Sequence, residues 1–151
     1  MATAEERETS STETVPRTSA HSGSLDLRAM LAGLEATRRP DDYVYAVVDH
    51  EHPVVGLAAA TISEVEGLTV VLRRTDANAH GIPYEFEAAW LTLTVHSSLE
   101  AVGLTAAFSS ALGEAGISCN VLAGYFHDHL LVPVAEASRA IDVLLGLRDQ
   151  S

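Results

Sequence analysis

The sequence predicts an α+β fold in which helices pack on an antiparallel sheet. Three stretches of its second half predict it. In 89-AWLTLTVHSS-98, Trp90, Thr92 and Thr94 alternate with Leu91, Leu93 and Val95, the period of two of a strand. In 99-LEAVGLTAAFSSALGEAG-116, Leu104, Phe108, Ala111, Leu112 and Ala115 fall on one helical stripe. Then 117-ISCNVLAGYF-126 and 129-HLLVPV-134 read as two strands about a tight turn. A last amphipathic segment, 135–148, turns Ala137, Ala140, Ile141, Leu144 and Leu145 inward.

The order strand, helix, strand, strand, helix is five-sixths of a ferredoxin-like βαββαβ unit. Its closing strand is missing, since only three residues follow the last helix. A sheet with that gap has an open edge. The first half must supply the strand, and 43-YVYAVV-48 or 68-LTVVL-72 is the expected donor.

The helix starts and stops are read from local chemistry. Ser97, Ser98, Leu99 and Glu100 fit a capping box, Ser97 accepting from a backbone N–H and Glu100 reaching back. Gly103 sits inside the helical pattern at a cost of roughly 1 kcal/mol against alanine, which close packing would explain. Gly116 is the expected C-terminal stop.

In the first half, Leu25, Leu27, Met30, Leu31 and Leu34 recur at helical spacing, and Arg38-Arg39-Pro40 reads as a basic last turn and a stop. A strand is expected at 43–48, a short one near Ala59–Ser63, a turn at Glu66-Gly67 and a strand over 68–74. Residues 75–87 read as a loop punctuated by Gly81 and Pro83. The polar, Ser/Thr/Glu-rich residues 1–24 read as a disordered tail, followed by an N-terminal half, 25–84, and a C-terminal half, 85–149.

Composition narrows the function classes. The 151 residues carry 21 acids against nine arginines and no lysine, a formal charge of −12. Such a surface repels phosphate backbones and anionic lipid, so neither nucleic acid nor membrane is an expected partner. The N-terminus lacks the basic start and apolar middle of a secretory signal, and no run is long enough to span a bilayer. The lone Cys119 forms no internal disulfide and reads as a buried thiol of a cytoplasmic protein. No phosphate loop, dinucleotide fingerprint or nucleophile elbow is present, and no cofactor is implied.

The segment 92-TLTVHSSLEAVGLTAAFSSALGEAGISCNVLAGYFHDHLLVPV-134 resembles the ACT-domain superfamily. More narrowly it resembles a small bacterial ACT-like group with VHSSLEAVGLTA and AGY-x-HDH segments; 66-EGLTVVL-72 and 81-GIPY-84 are similar to the first half of that group. The resemblance spans residues 25 to 146. It implies tandem ACT-like halves, the first degenerate, and a regulatory, non-catalytic role in binding an amino acid or related small molecule. It also implies ligand contacts from the loop after the first strand and the helix start, here His96, Ser97, Ser98, Leu99 and Glu100. The next strand, here Ser118, Asn120 and Val121, is implied as a further contributor.

Physical chemistry supports the same pole. A helix start favours an anion such as an amino-acid carboxylate, and Asn120 or Glu100 could take the ammonium. The first and third strands of the unit are antiparallel neighbours, so the fold brings His96 towards His127 or His129. Three imidazoles there could hold a metal. The structural alternative seats Asp128 in the hairpin turn, bonding its own backbone. Three readings follow: an amino-acid-binding regulator, able to pair as a homodimer through its open sheet edge; a metal-dependent enzyme using His96, His127 and His129; or an interaction module with no ligand. The first is expected. His50 and His52, and Glu64 and Glu66, read as exposed loop and turn residues.

Overall fold

A computed structural model describes residues 26–95 and 99–150. The expected tail 1–24 and the predicted site residues His96, Ser97 and Ser98 lie outside the described residues.

Six strands form one antiparallel sheet: β1 (Glu35–Val48), β2 (Ala60–Glu64), β3 (Gly67–Arg73), β4 (Glu87–Thr94), β5 (Asn120–Ala123) and β6 (Asp128–Pro133). Their spatial order is β2-β3-β1-β4-β6-β5. Four helices accompany them: α1 (Leu27–Ala32), α2 (Arg74–Ala79), α3 (Leu104–Glu114) and α4 (Ala137–Leu145). A 3-10 helix at Pro53–Leu57 replaces an α-helix between β1 and β2.

The order resolves into two ferredoxin-like units that share strands. The first is β1, the 3-10 helix, β2, β3 and α2, closed by β4. The second is β4, α3, β5, β6 and α4, closed by β1. Each unit borrows the other's first strand as its fourth, so β1 and β4 lie side by side at the centre. The missing strand of the second unit is therefore β1, which contains the expected donor Tyr43–Val48. Its contact with β4 is made by Glu35–Arg38 and Asp42–Val44, however, while Tyr43–Val48 pairs β3.

That pairing overturns the expected first helix. The helical pattern of Leu27–Leu34 stops at Gly33, and Glu35 to Arg39 are strand. Asp26 caps α1, its carboxylate accepting from the N–H of Arg28 at 3.0 Å. Pro40 lies where the β1–β4 register breaks between Arg38 and Asp42, a place where its missing N–H costs no ladder bond.

Two further expectations fail. The segment 75–87 is not all loop: α2 occupies Arg74–Ala79, tied by the ion pair of Arg73 with Asp76 at 2.8 Å. It buries only Ala77, so it shows no apolar stripe. The helix after β4 begins at Leu104, not at the Ser97–Glu100 box; Leu99 and Glu100 lie in a turn. Gly103 precedes it at φ 97°, which a side chain rarely adopts. A Cβ there would meet the Leu27 side chain at 3.0 Å, so the glycine sits in close packing at the helix start and not inside the helix. Gly116, at φ 71°, ends the helix as expected, with Ile117 N–H bonding back to Leu112 at 2.9 Å.

The helices cover one face of the sheet. Leu91, Leu93 and Val95 of the β4 segment meet Leu104, Phe108 and Leu112 of α3 and Ala137, Ala140 and Leu144 of α4 in the main core. Val44, Ala46, Val70 and Leu72 continue that face over Val54 and Ala77. The opposite face holds a separate cluster, Tyr43, Val71, Ala88, Trp90 and Leu131, to which no helix among the described residues contributes. The predicted alternation of Trp90 and Thr92 against Leu91 and Leu93 is thus the division between the two faces.

Candidate functional site

The pole at which β4 ends, α3 begins and β5 turns into β6 carries a cleft of about 100 Å³. Leu99, Ala101, Leu104 and Thr105 form one wall, and Ala123 through Asp128 form the other. The second wall is a hairpin whose turn is Gly124–His127, closed by the Gly124 N–H donating to the His127 carbonyl at 2.9 Å. Asp128 is therefore not in the turn, as the structural alternative had it. It is the first residue of β6, paired across to Leu93 and Ala123. The pairing puts it on the helix-covered face, at the foot of the cleft.

Tyr125 and Phe126 stand at the hairpin tip, ring centroids 4.8 Å apart and edge to face. They are 67% and 60% exposed, and Leu99 across the cleft is 67% exposed. The rim is thus apolar and unburied. The floor is polar. His127 Nδ1 is buried and has no hydrogen-bond partner among the described residues. Burial holds the Asp128 carboxyl above the ordinary carboxylate range, with the His127 imidazole pulling it back down. α3 begins without a side-chain cap, since Gly103 has none to offer. Its first N–H groups and positive dipole end border the same cleft.

Of the predicted site residues, the structure brings Leu99 and His127 to the cleft. Glu100 is exposed in the preceding turn and Ser118 in the loop before β5; neither lines it. Asn120 sits opposite Leu131 on the other face of the sheet, and Val121 opposite Leu130, packed on the main core. His129 also faces away: its ring lies 5.3 Å from that of Trp90, and its Nδ1 is 3.1 Å from Thr92 Oγ1. His127 and His129 therefore do not share a site. No group of three or more His, Cys, Asp or Glu able to hold a metal occurs among the described residues.

Sequence reasoning missed Asp128, Tyr125 and Phe126 as lining residues. The HDH triplet drew attention to its histidines, and only the hairpin register shows that the aspartate points to the cleft. His52, read as a loop residue, accepts from the Val54 N–H at 3.1 Å and caps the 3-10 helix. Burial pushes the Cys119 thiol up to about 11, in keeping with an inert thiol packed against the core.

His129 has a pH consequence. Burial first, then the positive fields of Arg39 and His127, hold its imidazole below the ordinary 6.5. Between the two values the unfolded chain binds a proton that the folded chain refuses, so this contribution is complete above about pH 6.5 and is lost as pH falls. Urea midpoints measured from about pH 7.5 to 5 should fall more for the wild-type chain than for His129→Gln. Equal slopes would contradict the depressed value. Asp128 shifts in the opposite sense, from its ordinary 3.8 upward; it is common to both proteins and drops out of the difference.

The first unit has a cleft in the corresponding place, after β1 and beside the β2–β3 turn, of about 340 Å³ and lined by Val48, Asp49, His52, Glu66, Ile82 and Pro83. Its chemistry differs, with two acids and a histidine already spent on a cap.

Comparison with known proteins follows the same division. Residues 22–89 match one ACT-domain family and residues 85–145 match another. A protein of unknown function from Vibrio cholerae, suggested to be a transport protein, is 40% identical over 81% of this chain and 95% of its own, with TM-score 0.74. The chain belongs to the ACT-domain superfamily. Its ACT fold is shared with an Agrobacterium tumefaciens protein at 16% identity, TM-score 0.61, over 76% of this chain and 89% of that one. It is shared too with the regulatory subunit of aspartate kinase from Thermus thermophilus at 10% identity, TM-score 0.54, over 72% and 92%. A search of curated protein sequences finds no match. No helix among the described residues of this ACT protein is long and apolar enough to cross a membrane.

Proposed function

We propose that this protein is a non-catalytic regulatory ACT protein of the cytoplasm that binds an amino acid in the cleft between α3 and the β5–β6 hairpin. The observation that carries the reading is the buried, unpartnered His127 Nδ1 beside the half-buried Asp128. Buried polar atoms are ordinarily satisfied, and an orphan at the floor of a cleft is a place for a ligand atom. The uncapped start of α3 takes the carboxylate. Asp128 takes the ammonium, which would reverse the upward displacement of its own titration. The side chain lies against Leu99, Tyr125 and Phe126.

A cleft of about 100 Å³ is small beside the roughly 300–1,000 Å³ of sites that enclose a drug-sized ligand. The exposed apolar rim supports completion by a second copy, so the active species would be a homodimer with ligand at the shared pole. With no catalytic group in the reading, regulation would pass to a partner through the assembly itself.

A thermal-shift screen of the common amino acids at about 10 mM tests the reading, because a ligand that binds only the folded state stabilises it by about 2.7 kcal/mol at a hundred times its Kd. At least one amino acid should raise Tm, and Asp128→Asn should abolish the shift while leaving the free protein folded. Silence from every amino acid would end the amino-acid reading.

A further inference from the structure

Arg39 stands out among the cations of this acidic chain. Arg38 pairs with Asp42, Arg73 with Asp76, Arg74 with Glu87 and Arg139 with Glu136. The Arg39 side chain forms neither an ion pair nor a hydrogen bond with the described residues, although it is only partly exposed. Its guanidinium carbon lies 3.9 Å from the centroid of the Trp90 ring and 5.9 Å from that of Tyr43. Stacking on aromatic faces occupies the flat side of a guanidinium and leaves its N–H edge without acceptors.

Among the described residues no carboxylate pairs with that edge, and several polar groups lie near it. Trp90 is 2% exposed, and its Nε1 has no hydrogen-bond partner among the described residues. His129 packs on the same ring and is held towards its neutral form, partly by Arg39 itself. Thr92 and Thr37 face each other across β4 and β1 on this side of the sheet. The nearby Asp42 is already held by Arg38 and Arg74. All of this lies on the side of the sheet opposite the main core, in a cluster to which no helix among the described residues contributes.

We infer that Arg39, Trp90, Thr92 and His129 form a second binding site, on the side of the sheet opposite the main core, for the carboxylate of a small singly charged anion. A carboxylate presents two oxygens in the plane of the guanidinium fork and accepts from it in bidentate fashion. The hydroxyls and the imidazole supply further polar contacts beside it. A net charge of −12 disfavours multiply charged anions, so phosphate is a poorer guest than a carboxylate. The site is apart from the α3 cleft and does not depend on an amino acid binding there.

Trp90 is the only tryptophan in the chain, so its fluorescence reports on this site alone. Titration with sodium acetate should change the emission saturably, while sodium chloride at equal ionic strength should not. Arg39→Gln should weaken the response at least tenfold, Arg39→Lys should weaken it less, and Asp128→Asn should leave it intact. Circular dichroism and urea unfolding of the Arg39 variants establish that they are folded. The inference is overturned by any of three results: no saturable response up to about 100 mM acetate, the same response in Arg39→Gln, or a response to phosphate without one to acetate. In those cases Arg39 is only a cover for the indole ring.

Discussion

Phe108→Ala should destabilise the protein by about 3–5 kcal/mol, the cost of emptying a fully buried aromatic position. Phe108 lies on the inward stripe of α3 with no exposed surface, in the cluster that includes Leu91, Leu93, Leu130 and Leu144. Strands β4 and β6 and helices α3 and α4 meet there, so no neighbour is free to collapse into the space without giving up its own contacts. Against a total stability of typically 5–15 kcal/mol the loss is large. At about 2–4 °C per kcal/mol for a chain of this length, Tm should fall by roughly 6–20 °C. Val102→Ala is the comparison: that side chain is 84% exposed and should change stability by no more than about 0.5 kcal/mol. If Phe108→Ala costs less than about 1 kcal/mol, α3 does not pack on the sheet as described.

The reach of sequence reasoning can be judged from β4 and α3. The alternation of Trp90, Leu91, Thr92 and Leu93 records the two faces of the sheet, because among the described residues one face is buried by helices and the other is not. The stripe Leu104–Phe108–Leu112 records the buried side of α3 in the same way. Local patterns were less informative where a distant strand decides the outcome. Leu27 to Leu34 keeps helical spacing, yet Glu35–Arg38 becomes strand because it pairs with Leu91–Thr94 of β4, far away in sequence. No window around Arg38 contains that information. The capping-box letters of Ser97–Glu100 misled for a related reason. The start of α3 is set by Gly103 turning at φ 97° against the Leu27 side chain, a contact between residues 76 positions apart.

The candidate site was legible as a pole and not as a set of residues. Antiparallel neighbourship of the first and third strands follows from topology, and β4 and β6 are indeed paired from Leu93–Asp128 to Ala88–Pro133. Which side chains enter the cleft depends on register, and a shift of one residue exchanges the faces. Because the hairpin turns at Gly124–His127, Asp128 goes to the helix side and His129 to Trp90. Arg39 was read only as part of a basic helix end. In a helix it would have been an ordinary basic last turn; in a strand it lies across the indole ring.

Gly124→Ala should destabilise the protein by about 1–3 kcal/mol and reshape the cleft, although it adds one methyl group. A Cβ at this position would lie 2.8 Å from the His127 carbonyl oxygen and 3.3 Å from His129 Nε2. The first of these is backbone and cannot rotate away. It is also the acceptor of the Gly124 N–H, so relief of the clash lengthens the bond that closes the hairpin. The turn carries Tyr125, Phe126 and His127, and Asp128 follows directly. Any widening therefore moves the whole hairpin wall away from Leu104 and Thr105. Gly113→Ala separates this effect from glycine replacement as such. Gly113 lies within α3, where an added Cβ would meet nothing within 4 Å, and alanine there should stabilise the helix by about 0.5–1 kcal/mol. Urea unfolding should then show opposite signs for the two substitutions. An amino acid that stabilises the wild-type chain should stabilise Gly113→Ala equally and Gly124→Ala weakly or not at all. Equal ligand stabilisation of both variants would place the ligand away from the hairpin, whatever the stability measurements show.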